Sequence, residues 1–184
     1  MLSACVKESL ALVEKVRTRD GEARRLGEEA EALFRETLAA DPAQAEARLR
    51  LGGVLLAGGR AREAEVVLRQ AVEEARDNRQ RYLALLFLGR ASEQEYPRSG
   101  AAFYRRALEA WPDSQAARLA LARCLEASAG PPEAHPLVMA SLLDSGKPAR
   151  EPDPWWSYPF GPRGLAMVAL ERLWQATLGR SFGS

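Results

Sequence analysis

Four stretches of the chain share one pattern: AEALFRETL from Ala30, AEVVLRQAV from Ala64, GAAFYRRAL from Gly100 and AHPLVMASL from Ala134. Each opens on a small residue and places a bulkier apolar one four positions on: Phe34, Leu68, Tyr104 and Val138. Three residues further stand Thr37, Ala71, Ala107 and Ser141, each before an aliphatic residue. The openings lie 34, 36 and 34 residues apart. A second set interleaves with the first. RLRLGGVL, LLFLGRAS and RLALARCL each set a leucine (Leu51, Leu88, Leu121) before a glycine or alanine. Such a period constrains the chain more than any composition does. Each unit is one supersecondary element, too small to bury its own apolar face, so neighbouring units must stack.

Local chemistry says what a unit contains. Apolar residues recur at three- and four-residue steps in both sets, the spacing of one helical face. Gly58-Gly59, Tyr96-Pro97 with Ser99-Gly100, and Gly130-Pro131-Pro132 separate the two segments of successive units, where helices break. Asp41-Pro42 and Trp111-Pro112-Asp113 separate units, proline stopping one helix and opening the next. Val, Ile and Thr alternate nowhere, so almost no sheet is expected. The units run approximately 1–42, 43–77, 78–112 and 113–146, each a helix pair. In the first, SACVKESLALVEKVRTR from Ser3 is out of register and predicts longer helices.

These landmarks resemble the tetratricopeptide repeat (TPR), bacterial type, whose pattern is W-x2-L-G-x2-Y, then A-x3-F, then P, over about 34 residues. Leu51-Gly52, Leu55, Ala64 and Leu68 match it in the second unit. Leu88-Gly89, Gly100, Tyr104, Ala107 and Pro112 match in the third, and Arg118, Leu121-Ala122, Leu125, Ala134 and Val138 in the fourth. The family's first Trp is missing from every unit, and its Tyr is replaced by Leu55, Ser92 and Leu125. The resemblance covers residues 1–146. It implies an all-α, TPR-like right-handed superhelix (α-solenoid) of about four helix pairs, here followed by a C-terminal capping helix. It also implies that the first helix of each unit lines a concave groove. Function is then protein–protein interaction: an adaptor or assembly scaffold taking a peptide or helix of a partner.

In the family's orientation, residues two before and two after the landmark leucine face the groove. That sets Leu49, Leu86 and Leu119 in a row, Gly53, Arg90 and Arg123 one turn on, then Leu56, Glu93 and Glu126. Packing between units is the competing role for the three leucines. An apolar stripe edged by Arg and Glu suits a short amphipathic helix or an extended peptide. Family members that grip an acidic C-terminal tail use Lys and Asn at these places. Leu, Gly, Arg and Glu stand there in this chain, which argues against that specificity, although Arg90 and Arg123 have the chemistry to hold one carboxylate.

Past residue 146 the chain changes character. Eight of its 11 prolines lie between Pro131 and Pro162. Residues 147–161 are expected as a Pro- and aromatic-rich extended connector, and 162–184 as the capping helix and tail, with Gly161-Pro162 opening that helix and Gly179 stopping it. Trp155, Trp156, Tyr158 and Phe160 have three competing roles. They pack beneath the cap along the last repeats, occupy the groove as an internal ligand, or dock a partner, the last including self-association into a homo-oligomer. Four exposed aromatics would form a patch that soluble monomers rarely carry.

Composition excludes more than it assigns. A net charge of +1 supplies no bulk field for nucleic acid. No run of 18 apolar residues encodes a membrane span. The single histidine, His135, and two distant cysteines, Cys5 and Cys124, form no metal set. A Cys–His pair would lack an identifiable orienting third group, and phosphate-binding glycine patterns are missing. No catalytic residue, metal or cofactor is expected, and the chain is read as not an enzyme. Sparse cysteine suits a reducing, cytoplasmic setting. Leu2-Ser3-Ala4-Cys5 resembles a lipobox without the charged and apolar segments one requires. A lipid-anchored or periplasmic location is the alternative if the start is misplaced.

Overall fold

The structure, a computed structural model, describes residues 20–93, 95–129 and 152–158, together with Lys7 and Pro136. Every regular element among the described residues is helical: α1 (Asp20–Ala40), α2 (Ala45–Ala57), α3 (Ala61–Glu73), α4 (Asn78–Ser92), α5 (Pro97–Ala110), α6 (Gln115–Ala129) and the single turn α7 (Pro154–Ser157). The pairs α2–α3 and α4–α5 are the second and third units, α1 the second helix of the first unit, and α6 the first helix of the fourth. The remaining expected helices lie outside the described residues: the one before Asp20 (except Lys7), the one from Ala134 (except Pro136) and the cap from residue 162.

Each break has a local cause. Gly59, at φ 78°, takes a left-handed conformation that only glycine adopts without penalty, and the chain reverses there with Arg60 N–H donating to Leu55 O at 2.9 Å. Asp77 caps α4, its carboxylate accepting Gln80 N–H at 2.7 Å. Pro97 occupies the first turn of α5, where its missing N–H is harmless. Ser114 caps α6, its hydroxyl oxygen accepting Ala117 N–H at 2.9 Å.

The landmark glycines are packing holes. A Cβ on Gly52 would stand 2.4 Å from Leu68 Cδ2, and one on Gly89 would stand 2.3 Å from Tyr104 Cε1. The bulky residues of α3 and α5 therefore seat against the glycines of α2 and α4. Consecutive helices from α1 to α6 pack on one another, and α2 also packs on α4, giving an α-solenoid. Arginines add ties between units, Arg60 to Glu31 at 2.6 Å and Arg62 to Glu95 at 2.9 Å. Such pairs contribute little each.

The second helices α3 and α5 each bury one face, through Ala64, Leu68 and Ala71, and through Gly100, Phe103, Tyr104 and Ala107. α4 differs. From Tyr82 to Gly89, eight consecutive residues are buried, which requires cover all round the helix. α3 and α5 supply it on one side, α2 packs against it as well, and α7 touches it from the tail.

Candidate functional site

The first helices α2, α4 and α6 hold a peptide, and it is the chain's own Asp153–Tyr158 segment. Asp153 opens it. The aspartate caps α7, Oδ1 accepting Trp155 N–H at 3.0 Å, and Pro154 takes the first helical position. The same carboxylate is bound from outside. Tyr82 on α4 donates its hydroxyl to Oδ1 at 2.7 Å, Ser114 donates to Oδ2 at 2.8 Å, and Ala116 N–H reaches Oδ2 at 3.3 Å. Tyr82 and Ser114 are themselves 2.8 Å apart, oxygen to oxygen. Only 8% of Asp153 is exposed, and no cation pairs with it among the described residues. A carboxylate so placed is tolerable because every donor around it is aimed at it. Burial first, and the Asp153 charge next, push the Tyr82 phenol far above its ordinary range, so it stays a donor.

Two aromatic contacts fix the rest of the segment. Trp155 meets the Phe87 ring edge-on at 5.3 Å between centroids, and Tyr158 meets the same ring at 5.8 Å. Both rings are buried. Arg90 closes one side, its guanidinium 5.4 Å above the Trp155 ring. On α2, Arg50 lies 5.4 Å over the Tyr158 ring, and the Tyr158 hydroxyl donates to Glu46 Oε1 at 3.2 Å. Arg50 also donates to Glu46 at 2.7 Å, which holds both in place. These helices therefore contact an acid, an indole and a phenol in order, the acid from α4 and α6, the indole from α4 and the phenol from α4 and α2.

Residues 26–86 match the family model of the tetratricopeptide repeat. That span, about a third of the chain, is similar to tetratricopeptide repeats. No curated protein matches it. Tetratricopeptide repeats mediate protein–protein interaction and are typically non-catalytic. No helix among the described residues is long and apolar enough to cross a membrane.

Within the repeats, the residues singled out from the sequence fall in different places. Leu49 and Leu86 are buried in the apolar cluster that also contains Trp155 and Tyr158, while Leu119 is 38% exposed. Arg90 stacks on Trp155. Glu93 accepts from the Tyr104 hydroxyl at 2.7 Å and pairs with Arg123 at 3.1 Å. That pair ties α6 to the end of α4. Glu126 is exposed, Trp156 half-buried, and Phe160 outside the described residues. Cys124 is a buried free thiol, raised above its ordinary pKa chiefly by burial and then by Glu93. His135 lies outside the described residues.

Tyr82, Ser114, Ala116, Phe87, Glu46 and Arg50 were not among those candidates. A signal for three of them exists one helical turn back. Tyr82 precedes Leu86 by four residues, Glu46 precedes Leu49 by three, and Ala116 precedes Leu119 by three. The predicted stripe extends toward the C-terminal ends of the first helices, whereas Asp153 and Tyr158 also engage residues nearer their N-terminal ends. Within the expected connector, Pro154–Ser157 forms a helical turn, because Asp-Pro is a helix start as well as a break.

Proposed function

We propose that the face formed by α2, α4 and α6 is a receptor for a short segment of another protein, and that the chain works as an adaptor or assembly module and not as an enzyme. The observation that carries this reading is the seating of Asp153–Tyr158 on that face through one carboxylate, two aromatic rings and two arginines. A surface that orders six residues of peptide by side-chain contacts has the equipment to order another peptide of similar chemistry. Leu49, Leu86 and Arg90 form or border the occupied part. Glu93, Leu119, Arg123 and Glu126 extend the surface toward the C-terminal ends of α4 and α6, and Trp155, Trp156, Tyr158 and Phe160 are the tail's own docking residues. The free thiol of Cys124 suits a cytoplasmic setting.

The test is a full-length variant whose own tail cannot seat, Trp155→Ala/Tyr158→Ala. It should bind a labelled peptide of residues 151–160 in an anisotropy titration, with wild type binding more weakly because its groove is filled. Equal and negligible binding by both chains would end the reading.

A further inference from the structure

We infer that the tail exchanges between molecules, the Asp153–Tyr158 segment of one copy seating in the first-helix groove of a second. The inference rests on the groove being a peptide receptor and adds which peptide it receives. Plugging an apolar groove requires only apolar surface. Here a carboxylate is carried into a nearly closed site and met by Tyr82, Ser114 and the Ala116 N–H, with no cation among the described residues. Desolvating that charge is unfavourable, and the arrangement discriminates: a segment without the acid leaves Tyr82 and Ser114 buried without it. The groove therefore selects the spacing Asp-x-Trp-x-x-Tyr, which occurs once in this chain, at Asp153, Trp155 and Tyr158. A second copy is a molecule that necessarily carries the match.

Every contact described between the segment and its seat joins residues 153–158 to α2, α4, α6 or the α6 cap Ser114, so the same bonds form whichever copy supplies the segment. Residues 130–151 join α6 to Pro152. At about 3.3–3.6 Å per residue, a connection of that length reaches at most roughly 80 Å, several times the helix diameter of about 10 Å. Exchange of an identical element is a low-cost route to a dimer. A molecule's own tail competes at an effective concentration on the order of millimolar, which places the exchanged dimer at high protein concentration.

Two full-length variants separate seat from segment. Tyr82→Phe/Ser114→Ala impairs the seat and keeps the segment, while Trp155→Ala/Tyr158→Ala does the reverse. In sedimentation velocity, wild type should show a dimer fraction that rises between about 10 µM and 1 mM. Each variant alone should remain monomeric, with far-UV circular dichroism verifying its helices. Mixed in equal amounts, they should form a one-to-one complex at least about 10-fold tighter than the wild-type dimer, since the seat-bearing copy no longer has a competing tail. A wild-type chain that stays monomeric beside an unassociated mixture overturns the exchange, as does a dimer that both variants retain. The peptide of residues 151–160 distinguishes the two failures. If the segment-impaired variant binds it while the mixture stays monomeric, exchange is wrong and the groove reading stands; if it binds neither, both fall. The same peptide with Asp153→Asn should bind at least about 10-fold more weakly, and equal affinity would remove the carboxylate from the recognition.

Discussion

Asp153 uses one carboxylate to start a helical turn and to anchor that turn to two other helices. Removing either external hydroxyl leaves a buried anion short of a donor, and hydrogen bonds to charged groups contribute about 1.5–3 kcal/mol. Tyr82→Phe should therefore weaken the seat about 10-fold or more, visible as increased iodide quenching of tryptophan emission with far-UV ellipticity unchanged. The phenols give a pH signature. Tyr82 is shifted upward by burial and then by Asp153, and Tyr104 by burial and then by Glu93. A raised folded-state value means the neutral phenol is the form the fold accepts. This contribution is complete below the ordinary tyrosine value of 10.0 and is lost as pH rises above it. With the exposed Tyr96 replaced by Phe, alkaline titration should show tyrosinate absorbance lagging at first and then appearing together with loss of helix; a phenolate step in that still-folded variant would contradict the reading. Neither Tyr82 nor Ser114 stood out in the sequence as a binding group. A tyrosine in an apolar helix and a serine before one have ordinary structural roles, and Ser114 does cap α6. Their joint role depends on a carboxylate 71 residues from Tyr82 and 39 from Ser114, and no local pattern encodes that pairing.

At the scale of helices, the repeat was legible because its period records packing. Gly52 and Gly89 recur because Leu68 and Tyr104 fill the space where their side chains would be. Gly89→Ala should push against a buried ring and cost about 1–3 kcal/mol, lowering the thermal midpoint by several degrees. Gly27 is the control. It lies inside α1 with nothing near its missing Cβ among the described residues, so Gly27→Ala should raise the midpoint, by about 0.5–1 kcal/mol of helix propensity. Scanning calorimetry on the two variants checks both signs. The eight-residue buried run of α4, YLALLFLG, is an apolar stretch with no polar face except the tyrosine hydroxyl. It implies cover on both sides. What provides the second cover was not legible, since apolar rings fit equally beneath a cap, in a groove or against a partner. Trp155 and Tyr158 against Phe87 are the physical answer.

For the whole molecule, the tail is a component of the stack's stability and not an appendage. Burying one large aromatic side chain contributes about 1.5–3 kcal/mol before ordering costs, and the segment buries two. A chain ending at residue 151 should keep its helices, bind a hydrophobic dye that wild type does not, and melt at lower temperature; an unchanged melting curve would mean the seat is energetically idle. The seat also changes how the array comes apart. Contacts in a stack of repeats are between neighbours, so such arrays ordinarily open from their ends, unit by unit. Here Tyr158 reaches Glu46 across 112 residues, and Asp153 bridges α4 and α6. The stretch from α2 to α6 is thereby bridged a second time. Helices α2, α4 and α6 should exchange their amide hydrogens as one cooperative block, and the last event in folding should be the arrival of a segment that carries its own helix cap.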